Sequence, residues 1–175
     1  MKVVKPQVGI IMGSDSDLEV MKDAALVLDE LKVANEILIL STHRAPEETA
    51  KFAKGAKERG IKVIIAGAGG AAALPGSIAS LTTLPVLGVP IDSKLGGVDS
   101  LYSIVSMPPG VPVAAVGINS AKNAGILAAE IIAASDPKIA KNVQQFKDKI
   151  KQDVLAKNAK LQKLGWENYL NDKNK

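Results

Sequence analysis

Five short apolar runs at regular intervals constrain this chain more than any other feature: Val8 to Met12, Ile37 to Leu40, Val63 to Ala66, Val86 to Val89 and Val113 to Ile118. Most are continuous rather than alternating, the pattern of strands covered on both faces in a parallel sheet. The segments between them have helical spacing. In the first, Leu18, Met21, Ala25, Leu28 and Leu31 fall on one face, and Ser16 or Asp17 is placed to cap the start. The second follows Pro46, Glu47 and Glu48, runs through Ala50, Ala53 and Ala56 and stops at Gly60, with acidic residues in the first turn and glycine just past the last. Shorter helices are expected near Pro75 and from about Asp99 to Met107, and a clear one from Ala121 to Ala134. Repeated strand-helix alternation predicts a three-layer α/β domain with a five-stranded parallel sheet and right-handed crossovers.

At 175 residues the chain has room for one domain over residues 1–135 and a helical extension over 136–170. After Asp136-Pro137, the positions Ile139, Val143, Phe146, Ile150, Val154, Leu161 and Leu164 make an apolar stripe on a long, Lys-rich helix. A lone striped helix must pack on the domain body or on a neighbouring subunit, and a role in oligomerisation is favoured. Residues 171–175 are expected to fray. Charge follows the same division, with 12 Lys and Arg against 13 Asp and Glu up to residue 135 and 10 against 5 beyond it. The basic surplus reads as a solvated helix face. With only one Trp, two Tyr and two Phe, the stacking surface of a nucleic-acid binder is missing, and so is one for a flavin. Zero cysteines exclude disulfides, cysteine-ligated metals and a thiol nucleophile, and a single histidine excludes multi-histidine metal sites. No run is long and apolar enough to span a bilayer, and Met1 to Gln7 has no signal core, so a cytoplasmic protein is expected.

In an open parallel sheet, ligands sit beyond the carboxyl ends of the strands. The first strand-to-helix loop reads Gly13-Ser14-Asp15-Ser16-Asp17. Its hydroxyls and amides suit a phosphate and its carboxylates suit ribose hydroxyls, although capping and turn formation account for the same residues. Phosphate beside two carboxylates needs a nearby cation. The second loop, Ser41-Thr42-His43-Arg44-Ala45-Pro46, supplies one in Arg44, whose guanidinium grips phosphate through a fork of donors. His43 is the only side chain whose ordinary proton affinity lies near neutrality, so any imidazole acid/base step must use it. The third loop, Gly67 to Gly76, lets the backbone approach a ligand, and turn geometry explains its glycines equally well. Asp92 to Ser100 and Ser106 to Gly110 are candidate rim or lid segments.

Four stretches together carry a resemblance. Gly-Ser-Asp-Ser-Asp at 13–17, Ser-Thr-His-Arg-Ala-Pro at 41–46, Ala-Gly-Gly-Ala-Ala-Ala-Leu-Pro-Gly at 68–76 and Gly-Val-Asp-Ser-Leu-Tyr-Ser-Ile-Val-Ser-Met-Pro-Pro-Gly-Val-Pro at 97–112 closely resemble the N5-carboxyaminoimidazole ribonucleotide mutase family. The resemblance runs in order from about Val8 to Ala134. It implies a flavodoxin-like fold, a homo-octamer, no metal or organic cofactor, and a step of de novo purine synthesis that moves a carboxylate from an exocyclic nitrogen to carbon 4 of the imidazole ring. His43 is the catalytic residue so implied, with Ser14, Ser16, Asp17, Ser41, Thr42, Arg44, Gly69, Gly70 and Leu74 as the substrate-binding set. In the related direct carboxylases the residue after the histidine is typically lysine, so Arg44, Ala45 and Pro46 favour the mutase branch. One position departs from the pattern, because Ala73 stands where these mutases usually carry a second histidine.

Overall fold

The computed structural model describes residues 5–173. Five parallel strands, β1 (Val8–Met12), β2 (Asn35–Ile39), β3 (Val63–Gly69), β4 (Val86–Ile91) and β5 (Ala114–Ala115), form one sheet in the order β2-β1-β3-β4-β5. This is the doubly wound, flavodoxin-like order, in which the chain reverses direction across the sheet between β1 and β3. Register is continuous across the centre, with Val8 beside both Asn35 and Val63, and Ile64 beside Val86.

The strands separate two cores because successive side chains leave opposite faces. Val8, Ile10, Met12, Val63, Ile65, Leu87 and Val89 face α1 (Leu18–Glu30) and α5 (Ala121–Ala133). Ile11, Ile64, Ala66 and Val86 face α2 (Pro46–Arg59), α3 (Leu74–Ala79) and α4 (Val98–Val105). Both faces of β1, β3 and β4 are buried, which is why those runs read as continuous rather than alternating, whereas the edge strand β2 leaves Ile37 and Ile39 exposed. Gly60 ends α2 at φ 101°, its N–H donating to the carbonyls of Ala56 and Lys57, as the sequence predicts.

Three expectations are corrected. The buried face of α1 is Met21, Ala24, Val27 and Leu28, while Leu18 stays 43% exposed and Ala25 half-buried. A 3-10 turn at Asp15–Asp17 leads into the helix, and the buried face is the one that meets α5, where Gly125 lies against Ala24 and Val27. The cap comes from Ser14, whose side chain accepts from the Ser16 N–H, and Asp17 makes no side-chain cap bond. β5 has two residues instead of six. It lies at the sheet edge, and after Val116, whose N–H still reaches the Gly88 carbonyl, the chain leaves the ladder through Gly117 and Ile118.

The expected long helix is α6 (Pro137–Leu164), capped by Asp136, whose carboxylate accepts from the Lys138 and Ile139 N–H groups. Only its first half packs on the body. Ile139, Val143 and Phe146 enter the α1/α5 core, the Asn142 amide donates to the Leu31 carbonyl at 3.0 Å, and Lys149 pairs with Glu30 at 3.3 Å. Ile150 and Val154, assigned to the same stripe, are exposed. Residues 151–160 all face outward. Past Gly165 the chain re-enters a helix, α7 (Trp166–Lys173), tied back by the Lys160–Asp172 pair. Asn171 to Lys173, expected to fray, belong to this helix, and residues 174–175 lie outside the described residues.

Candidate functional site

The carboxyl ends of β1 to β4 open onto one cleft of about 530 Å³, within the roughly 300–1,000 Å³ range of small-ligand sites. Gly13, Ser14, Ser16 and Asp17 line it from β1, Ser41, Thr42, His43 and Arg44 from β2, Ala68, Gly69, Ala71, Ala72, Ala73 and Leu74 from β3, and Ile91, Asp92 and Ser93 from β4. The expected candidates thus converge on a single wall, except Gly70. That glycine lies at φ 61° and makes the turn that lets its neighbours reach the cleft.

The first loop is held by its own hydroxyls. The Ser16 hydroxyl donates to Ser14 Oγ at 2.9 Å and lies 3.2 Å from Asp17 Oδ1. In the second, the backbone N–H and Nε of Arg44 both donate to Ser41 Oγ at 3.3 Å. Its Nη2 donates to the Gly13 carbonyl and ties the two loops together. The guanidinium therefore stands over the Ser-Asp-Ser-Asp turn and sets a positive charge beside its two carboxylates. Burial pushes the Asp17 carboxyl above its usual value, against the lowering effect of Ser16, the Ser14 backbone and the Arg44 charge. His43 is exposed on the cleft wall, free to meet a ligand rather than locked in the core.

The third loop presents backbone and methyl groups only. Ala72 sits at φ 40°, a conformation that a residue with a Cβ rarely adopts, and the Ser103 hydroxyl grips the neighbouring Ala71 carbonyl from α4. Ala73 lines the cleft ahead of α3, so no second imidazole enters from this side. Asp92 and Ser93, which sequence reasoning placed only in a rim segment, are part of the wall. Their position immediately after β4 was the signal. Lys94 to Ser100 and Ser106 to Gly110, the rest of the expected rim, are not among the lining residues. Among the described residues no group of three or more His, Asp or Glu side chains is placed to hold a metal, and no helix is long and apolar enough to cross a membrane.

The model of a family described as AIR carboxylase matches residues 7–153. The chain belongs to the AIR carboxylase family. Members named N5-carboxyaminoimidazole ribonucleotide mutase include one from Thermotoga maritima, 59% identical over 96% of this chain and 99% of that protein. Another, from Pyrococcus horikoshii, is 57% identical over 98% of each. A phosphoribosylaminoimidazole carboxylase from Schizosaccharomyces pombe is 57% identical over 95% of this chain but 30% of its own length. The AIR carboxylase fold also matches a crystal structure of Treponema denticola PurE, with TM-score 0.82 and 30% identity over 89% of this chain and 98% of that one.

Proposed function

We propose that this chain is an N5-carboxyaminoimidazole ribonucleotide mutase, an isomerase of de novo purine synthesis. The observation that carries the reading is the meeting of His43 and Arg44 with the Ser14-to-Asp17 turn and the side-chain-poor third loop on one cleft. The full-length match to relatives of that name supports it over the direct carboxylase reading, since the S. pombe carboxylase contains a matching region as less than a third of its length.

The phosphate of the ribonucleotide binds Arg44 and the hydroxyls of Ser14 and Ser16, with Ser41 holding the guanidinium in place. Protonated His43 delivers its proton to the exocyclic nitrogen as the N–CO₂ bond breaks, leaving aminoimidazole ribonucleotide and carbon dioxide. Carbon 4 of the electron-rich ring then attacks the gas, and neutral His43 takes the ring proton, which restores aromaticity and recharges the imidazole. Atoms balance without metal, reductant or second substrate. Gly69, Ala72, Ala73 and Leu74 form the wall against which the gas is kept and the ring oriented. Residues 1–135 are the catalytic unit and 136–170 the arm through which copies assemble, as a homo-octamer in this reading. The cysteine-free chain is assigned to the cytoplasm.

The decisive assay supplies freshly prepared N5-carboxyaminoimidazole ribonucleotide with no bicarbonate, metal or nucleotide and measures 4-carboxy-5-aminoimidazole ribonucleotide. Turnover with little incorporation of labelled bicarbonate is expected. Product formation that depends on bicarbonate and carries its label transfers the assignment to direct carboxylation. A ribonucleotide that binds without product would leave a binding module.

A further inference from the structure

The end of β4, which supplies Asp92 and Ser93 to the cleft, is held from behind by a side chain outside it. The β4–β5 ladder pairs Leu87 with Ala114 and Gly88 with Ala115. The Val116 N–H still donates to the Gly88 carbonyl at 3.1 Å, and then the chain turns away through Gly117 and Ile118. It returns at Asn119, whose N–H donates to the Pro90 carbonyl at 2.8 Å and whose Oδ1 accepts the Asp92 N–H at 2.9 Å. The side-chain amide supplies the acceptor that a longer β5 would have offered from its backbone. Pro90 has no N–H of its own, so this pair of bonds is what extends the ladder to the cleft.

Two requirements meet at this position. Its φ of 55° is left-handed, which asparagine tolerates far better than most residues carrying a Cβ, and an acceptor must reach two atoms beyond Cβ. Asn and Asp satisfy both, whereas Gly satisfies only the first. Asn119 is not among the residues lining the cleft. Its hold is complemented by the Ser93 hydroxyl, which donates to Asp99 Oδ2 at 3.0 Å.

We propose that Asn119 is a positioning residue for the ribonucleotide reaction, fixing the Asp92–Ser93 arm at the height where it meets the ligand and thereby setting substrate affinity. The inference rests on the functional reading above. The Arg44 guanidinium reaches over the loop after β1 to the Gly13 carbonyl, and β4 lies two strands from β1 in the sheet, a span of roughly 10 Å at about 4.8 Å per strand, so the arm stands across the cleft from that charge. An ionised Asp92 only accepts hydrogen bonds. It suits the hydroxyl or amine donors of the ligand and repels the phosphate, which keeps the anionic end at Arg44.

The test compares Asn119→Gly, Asn119→Asp and Ser93→Ala by steady-state kinetics, calorimetric binding of the product 4-carboxy-5-aminoimidazole ribonucleotide, thermal unfolding and hydrogen exchange of the Asp92 amide. Asn119→Gly should raise KM and product Kd about tenfold with kcat nearly unchanged, the size expected for one lost hydrogen bond acting through the arm. Its Asp92 amide should lose protection. Asn119→Asp should restore protection and affinity, and Ser93→Ala should cost less affinity in the Asn119→Gly background than alone. Unchanged KM and Kd in Asn119→Gly, or a loss confined to unfolding temperature, overturns the proposal. Wild-type protein that neither converts nor binds the ribonucleotide overturns the functional reading first, and the affinity claim with it.

Discussion

His43 carries two proton transfers in the proposed reaction, and the second histidine position of the resembling mutases is filled here by Ala73. His43→Asn keeps the shape and loses the exchangeable proton. Turnover is expected to fall by more than the roughly 10² to 10⁴ typical of one acid/base group, while product affinity measured by calorimetry stays close to wild type. Near-normal turnover with the labile carboxylate verified at the start removes the shuttle. Asp17 gives a pH signature. Burial raises its carboxyl in the folded chain, so the native state keeps a proton that the unfolded chain has already released, and stability falls as pH rises through that window. The cost is fully present at neutral pH and absent below the unfolded carboxylate value. Asp17→Asn is therefore expected to unfold at a higher temperature than wild type at pH 7 and to have no such advantage near about pH 3; an equal midpoint at pH 7 rejects this account. His43, Arg44 and the serines were legible in the sequence because they carry chemistry and follow apolar runs. Asp92 was visible only as rim, and nothing marked Asn119, whose role depends on where β5 ends.

Helix placement was legible from apolar spacing, but helix phase was not. Packing against α5 selects the inner face of α1, so Leu18 points out and Ala24 and Val27 point in. Those two residues meet α5 at Gly125, where an added Cβ would lie 2.4 Å from Val27 Cγ1 and 2.9 Å from the Ala24 carbonyl oxygen. Neither neighbour yields cheaply, since one is a β-branched side chain in the core and the other is helix backbone. Gly125→Ala should gain about 1 kcal/mol of helix propensity and lose about 1–3 kcal/mol to overpacking, a net destabilisation on the order of 1 kcal/mol. Urea unfolding reads it directly, and a variant more stable than wild type would show that the two helices separate freely. For β5, apolar composition marks Val113 to Ile118 as strand, while ladder bonding depends on a partner edge and stops where the chain leaves it at Gly117.

At the scale of the molecule, the parallel sheet and its two cores follow from patterning, whereas the division of α6 does not. Its apolar stripe is continuous in sequence, yet the body ends near Glu30 and Leu31, so Ile139, Val143 and Phe146 are covered and Ile150 and Val154 are not. Truncation after Lys149 keeps the buried anchors and is expected to leave the thermal unfolding of the domain nearly unchanged while reducing particle mass in light scattering. Full-size particles from the truncated chain would place the assembly contacts elsewhere.

A 28-residue helix is roughly 42 Å long at about 1.5 Å per residue, and its outer half is studded with trypsin targets at Lys151, Lys157, Lys160 and Lys163. If copies shelter one another there, the rate of tryptic nicking at these four sites should fall as protein concentration rises, with cuts elsewhere on the domain keeping their pace. The arm would then act as a built-in gauge of how crowded the protein is, and dilution alone would expose it to destruction.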